Sequence, residues 1–351
     1  MEIQESIPLA PHTTFGVGGP ARWFAVATSE AEVLEALAHA GRHRARLFVL
    51  GGGSNLLVSD AGFDGLVLQM ALRGIRPDYR VGGPGCRYTA MAGEPWDDFV
   101  ARTVREGYAG LECLSGIPGT VGGTPVQNVG AYGQEVATTI ESVRVLDLFE
   151  NFAFEMKAAD CGFGYRASRF NGTDAGRFIV LSVTYELMPG APHLAYRDLA
   201  ERFRGHPGAP TLQEVRDAVR EIRHAKGMLI VPGEADCRSA GSFFKNPVVP
   251  VEEVAHVAAA AGVEPPRFDA GPGQVKLPAA WLIERAGFMK GYQRGPAAIS
   301  SRHTLALVNR GGARAADILA LAREVRDGVR DKFGVTLRPE PVMLGFAEPP
   351  L

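Results

Sequence analysis

Hydrophobic positions along this chain switch repeatedly between a spacing of two and a spacing of three or four, which predicts mixed strands and helices. Trp23, Phe24 and Val26 make a strand of residues 21–27. Ser29 with Glu32 then forms a capping box in front of Val33, Leu37 and Ala40, and Gly41 reads as the stop of that helix. Short apolar runs at 47–50, 56–58 and 66–68 read as strands. A helix is expected near 95–106, with strands at 142–148 and 178–187. A proline- and glycine-rich passage at 193–210 marks a boundary, after which Thr211 and Glu214 cap a helix carrying Val215, Val219 and Ile222 on one face. The last helix shows Ile318, Ala322, Val325 and Val329 at helical spacing and is core packing. Gly334 ends it, and residues 335–337 are expected to start a returning strand.

A length of 351 residues exceeds one ordinary domain and points to two or three. Hydrophobic content of 46% with 22% charged residues supplies enough apolar material for real cores. The net charge is −2, so no broad basic field for nucleic acid or an anionic membrane is implied, and any anionic ligand must be held by local groups. Cys86, Cys113, Cys161 and Cys237 are scattered, which argues against a disulfide framework and against structural zinc; no metal is expected. The acidic start lacks an apolar core of a signal peptide, and no apolar run reaches the roughly 18 residues of a membrane span, so a cytoplasmic protein is expected.

Three segments carry candidate chemistry. Gly51-Gly52-Gly53-Ser54-Asn55 follows a strand, yet it is neither G-x-G-x-x-G nor a P-loop, and residues 56–58 read as a strand rather than a helix. It is either a tight turn or a nest of backbone N–H groups able to hold a pyrophosphate without lysine. Residues 115–125 hold Gly116, Gly119, Gly122 and Gly123, a second backbone-rich surface. Two such loops suit a large dinucleotide such as FAD. In Gly241-Ser242-Phe243-Phe244-Lys245-Asn246-Pro247 a hydroxyl stands between glycine and two aromatics. That stretch is either an edge strand with a buried Phe-Phe pair or the seat of a nucleophile or proton donor.

These residues resemble the UDP-N-acetylenolpyruvoylglucosamine reductase family. The matching blocks fall in the family's order at 14–21, 50–55, 115–123 with 127–133, 163–168, 240–247, 280–284 with 290–291, and 338–340. Phe163-Gly164-Tyr165-Arg166-Ala167-Ser168 and Arg338-Pro339-Glu340 are the blocks that carry charge. The resemblance implies an α+β or α/β protein with an FAD-binding part of the vanillyl-alcohol-oxidase type in two α/β subdomains, expected at 1–70 and 71–208. A separate α/β substrate domain is expected at 209–333, with 334–351 returning to the flavin part.

The resemblance further implies non-covalent FAD held by Gly51, Gly52, Gly53, Ser54, Asn55, Ser115, Gly116, Ile117, Gly119, Gly122 and Gly123. NADPH would be the co-substrate, and the enolpyruvyl ether of UDP-N-acetylglucosamine would be reduced to UDP-N-acetylmuramate in peptidoglycan precursor synthesis. Ser242 matches the family's proton donor, with Lys245 the adjacent cation, while Arg166 and Glu340 match the pair at the substrate carboxylate. Without the resemblance, Arg166 reads as a strand-end surface arginine and Glu340 as a surface loop residue. Tyr196 matches the mobile loop of the tyrosine-loop subclass; Lys226, Asn246, Lys290 and His303 match substrate-contact positions. Two features depart from the pattern: Asn171 stands where lysine is common, and 226–238 is long, with Pro232 and Gly233. A monomer is expected. The alternatives are another FAD oxidoreductase of the same fold, against which the position of His12 outside a glycine loop argues, and a non-catalytic nucleotide-binding protein.

Overall fold

Twelve residues, Phe178–Pro189, form the strand on which the largest sheet is built, and their first half is buried almost without alternation. That pattern is what a central strand covered on both faces requires. In the computed structural model, which describes residues 1–79 and 83–351, this sheet runs Phe152–Lys157, Ile140–Asp147, Phe178–Pro189, Cys86–Met91, Ile75–Tyr79, and every pairing is antiparallel. Val183 pairs with Val143 on one side and with Ala90 on the other, so apolar side chains stay in register across the sheet.

The chain divides into two units. The first comprises Met1–Glu5, Trp23–Gly52 and Gly65–His224; the second comprises Ser6–Arg22, Gly53–Asp64 and Ala225–Leu351. In the first, the helix Trp96–Arg105 buries Trp96, Phe99, Val100 and Val104. The Tyr185 ring meets Phe99 at 5.0 Å and Trp96 at 6.0 Å, an aromatic cluster in which each fully buried ring stabilises by about 1.5–3 kcal/mol. The same sheet anchors the glycine-rich segment. Tyr185 and Thr124 share a hydroxyl hydrogen bond at 2.7 Å, and Val121 and Gly122 N–H donate to Glu94 and Ala92 carbonyls, each at 2.9 Å.

Most of a second, four-stranded sheet also belongs to this unit, and its Arg46–Leu50 and Phe63–Met70 strands are parallel, with Leu47 opposite Leu66. The helix Glu30–His43 precedes them. Ser29 caps it as expected, accepting the Glu32 N–H at 3.3 Å, and the Glu32 carboxylate accepts the Thr28 N–H at 2.7 Å. Gly41 does not stop this helix. It sits inside it in open space, and the turn ends three residues later at Arg44, in the left-handed region at φ +49°. An αL cap favours glycine without demanding it.

The second unit packs the Ala315–Phe333 helix against small sheets, burying Ile318, Ala322, Val325 and Val329 as the spacing predicts. Gly334, at φ +70°, is its C-cap. The returning strand does not start at 335–337: Val335 and Leu337 are buried as core residues without ladder pairing. The strand is Val342–Leu344, parallel to Leu56–Val58. Among the described residues no helix is long and apolar enough to cross a membrane.

Candidate active site

The strand Arg46–Leu50 leads directly into Gly51 and Gly52, and the sheet-anchored 115–123 segment meets them within the first unit. A Cβ added to Gly52 would lie 2.7 Å from the Gly119 Cα, and one on Gly51 would lie 2.8 Å from the Thr120 hydroxyl. The two glycine loops therefore touch backbone to backbone, which only residues without side chains permit. Gly116 and Gly119 both take positive φ, +70° and +127°. Ser115 is buried and spends its hydroxyl on the Glu112 carbonyl at 2.6 Å, so its side chain is structural. Gly122 is tied to Ala92, and Gly123 is exposed. The amide N–H groups of Gly52, Ile117 and Gly119 find no acceptor among the described residues. Backbone donors at a cradle that a Cβ would fill are the chemistry a pyrophosphate or flavin edge requires, and the residues present fit FAD.

Arg166 lies in the same unit. Its backbone is left-handed at φ +53°, and its guanidinium donates to the Gly130 carbonyl at 2.5 Å. A non-glycine residue held at positive φ stores strain that its surroundings must overcome. Asn171 is what holds it: its side-chain amide donates to the Arg166 carbonyl at 3.2 Å and accepts the Ser168 N–H at 2.9 Å. The residue that departs from the lysine pattern thus supports the Arg166 turn. Tyr196 precedes the Arg197–Arg202 helix, and its half-exposed ring meets that of Tyr132 edge-on at 5.2 Å.

In the second unit the 241–247 stretch is not an edge strand. Phe243 and Phe244 are buried and edge to face at 5.1 Å, and among the described residues the strand pairing there is one bridge between Phe244 and Pro339. That bridge brings Ser242 and Glu340 onto adjoining segments. The Glu340 N–H donates to the Phe243 carbonyl at 2.9 Å, and the Lys245 N–H donates to the Arg338 carbonyl at 3.0 Å. Asn55 joins them, its amide donating to the Glu340 carbonyl at 3.4 Å and its own carbonyl accepting the Val342 N–H at 3.0 Å. Gly53 has no room for a side chain, since a Cβ would lie 1.9 Å from the His12 carbonyl oxygen, and the following Ser54 carbonyl accepts from the Thr14 hydroxyl at 3.4 Å.

The substrate candidates divide. His303 lies two residues before Leu305, whose carbonyl accepts the Phe243 N–H at 2.7 Å. Asn246 turns its carbonyl to the Ala279 N–H at 2.9 Å and so caps the Ala279–Arg285 helix. Lys226 is half-buried and Lys290 is exposed. The long 226–238 segment contributes Cys237 and Arg238 to a cavity of about 560 Å³ that Thr13 and Thr14 also line; none of the assigned side chains does. Asp97, Arg216, Arg220 and Arg223, absent from the sequence-derived site, surround Gly116. Their signal was present as an arginine stripe at i, i+4 and i+7 beside the apolar face of one helix.

Known proteins match this arrangement. Residues 21–148 match an FAD binding domain, and residues 232–344 match the C-terminal domain of UDP-N-acetylenolpyruvoylglucosamine reductase. The chain is 48% identical over 349 residues to UDP-N-acetylenolpyruvoylglucosamine reductase of Thermobifida fusca (strain YX), covering 97% of both chains. It is 49% identical over 351 residues to the protein of the same name from Streptomyces coelicolor, covering 97% of this chain and 90% of that one. The crystal structure of UDP-N-acetylenolpyruvylglucosamine reductase (MurB) from Thermus caldophilus superposes with a TM-score of 0.66 at 28% identity, covering 98% of each chain. The chain belongs to the UDP-N-acetylenolpyruvoylglucosamine reductase family.

Proposed function

We propose that this protein reduces the enolpyruvyl ether of UDP-N-acetylglucosamine enolpyruvate to UDP-N-acetylmuramate at the expense of NADPH, with one proton taken up from solvent. FAD, when bound, supplies the hydride for the terminal carbon of the alkene. The chain's own residues then have two tasks: to absorb the charge that builds beside the substrate carboxylate, and to deliver a proton to the middle carbon.

Arg166 takes the first task. A guanidinium offers a planar pair of donors to a carboxylate and stays charged throughout. Glu340, assigned to the same carboxylate, must carry or share a proton to act there as a donor rather than as a like charge. Ser242 holds the proton for the middle carbon, and Lys245 is the cation in the same stretch. The observation that carries this assignment is the backbone pairing of the Ser242 and Glu340 segments, which are about a hundred residues apart in sequence.

Residues 1–70 and 71–208 are read as the flavin part, 209–333 as the substrate part and 334–351 as the returning strand. Tyr196 is read as the closing residue of the tyrosine-loop subclass, with Lys226, Asn246, Lys290 and His303 near the UDP-sugar. The protein is read as a cytoplasmic monomer. The test is direct. Purified protein should release a yellow chromophore on acid precipitation and should oxidise NADPH beyond one equivalent per flavin only when the enolpyruvyl substrate is present, giving a product two mass units heavier. NADPH oxidation indifferent to that substrate would overturn the reading.

A further inference from the structure

The Gly116 peptide is gripped on both sides by ionic groups to which the proposed reaction gives no part. Asp97, in the first turn of the Trp96–Arg105 helix, accepts the Gly116 N–H through Oδ1 at 2.6 Å. A helix N-terminus favours a carboxylate there. Arg216 forks the same carboxylate, Nη1 to Oδ1 at 2.6 Å and Nη2 to Oδ2 at 3.0 Å, and Arg220 donates to Oδ2 as well. One turn further along the Leu212–Ala225 helix, buried Arg223 donates its Nε–H to the Gly116 carbonyl at 3.1 Å. Burial opposes ionisation of Asp97, yet Arg216 and the Gly116 N–H outweigh it and hold the carboxyl below its ordinary range. The carboxylate is therefore charged while it grips the loop.

Gly116 is buried at φ +70°, whereas the next four residues, 117–120, are partly accessible. The grip thus fixes the root of the loop, while the tip that carries the Ile117 and Gly119 amides stays partly accessible. We infer that Asp97, clamped by Arg216 and Arg220, is a positioning residue that sets the cofactor-facing amides of the 117–120 tip and makes flavin affinity depend on the charge at position 97. The inference rests on reading this loop as part of the FAD cradle.

Asp147 provides the matched control. It is a carboxylate in the same unit, more deeply buried than Asp97 (2% of its side chain exposed against 28%), paired with Arg177 at 2.6 Å, and it holds the Phe149 N–H at 2.9 Å in a turn outside the candidate site. Holoprotein is diluted, and released FAD is followed by its fluorescence to give Kd at a temperature below every variant's unfolding. Asp97→Asn is expected to raise Kd at least tenfold, and Arg220→Gln, which leaves the Arg216 fork intact, three- to tenfold. Asp97→Glu should recover part of the loss. Asp147→Asn should lower Tm yet keep Kd within twofold of wild type. Unchanged Kd in Asp97→Asn, or an equal rise in Asp147→Asn, overturns the inference. If Asp97→Asn does not fold, Arg220→Gln decides, because a Kd within twofold of wild type overturns it equally. A wild-type protein that binds no FAD would instead sink the flavin reading itself, and that arm is read separately.

Discussion

Replacing Gly52 with alanine isolates the contact on which the cofactor cradle depends. The Gly52 backbone is outside the left-handed region, so alanine introduces no dihedral strain, and the effect is steric alone. The new methyl would stand 2.7 Å from the Gly119 Cα, 3.1 Å from its carbonyl carbon and 3.4 Å from its nitrogen. Carbon atoms in ordinary contact sit about 3.5–4.0 Å apart, so the two loops must part by roughly 1 Å. No side chain can rotate out of the way, because all three atoms belong to the Gly119 backbone. Overpacking of this kind costs about 1–3 kcal/mol, which corresponds to roughly 5- to 150-fold in FAD Kd if the strain is borne by the cradle. Flavin fluorescence on dilution reads the affinity, and thermal unfolding of holo- and apoprotein divides the cost between binding and folding. Gly41→Ala is the control: nothing lies within 4 Å of its Cβ, and alanine inside that helix should stabilise by about 0.5–1 kcal/mol. Gly52→Ala binding FAD as tightly as wild type would refute the two-loop cradle.

Further outcomes follow from the same geometry. Arg166→Lys keeps the charge but loses the planar fork, so kcat/KM for the enolpyruvyl substrate should fall about 10- to 150-fold, the equivalent of a charge-assisted hydrogen bond worth roughly 1.5–3 kcal/mol. Asn171→Ala removes two hydrogen bonds from the Arg166 turn; it should lower stability by about 1 kcal/mol and slow the substrate step while leaving FAD affinity intact, as activity and dilution assays would read. Asp97 has its carboxyl lowered in the fold, so its stabilisation is present above its ordinary value near 3.8 and is lost as pH falls through the lower folded value. Urea midpoints should therefore decline below about pH 4 in wild type, and Asp97→Asn should lack that part of the decline.

Much of this architecture is legible in the sequence where one physical rule governs. The capping residue Ser29 and the apolar stripe of Ile318, Ala322, Val325 and Val329 predict their helices, because local hydrogen bonding and periodic burial decide them. Leu56–Val58 reads as a strand for the same reason. Rules that only permit an outcome fail. Gly41 permits a helix stop, but Arg44 takes the left-handed cap instead. Apolar content at 335–337 permits a strand, but Val335 and Leu337 are spent on the core and the ladder waits until Val342. The Phe243–Phe244 pair is buried as composition predicts, yet its partner is a single bridge to Pro339, a long-range pairing that no local signal encodes. The ionic grip on Gly116 was hidden likewise. Asp97 and Arg216 are 119 residues apart, and a charge on a helix face is usually solvated.

The central claim, that Ser242 supplies the proton for the second half of the reaction, is tested most directly by stopped-flow absorbance of Ser242→Ala at the flavin band. NADPH should bleach the variant's flavin at close to the wild-type rate, because no proton from Ser242 is needed there. Recovery of the band on mixing with the enolpyruvyl substrate should slow by about 10²- to 10⁴-fold, the range a positioned general acid contributes. Recovery at the wild-type rate would contradict the account.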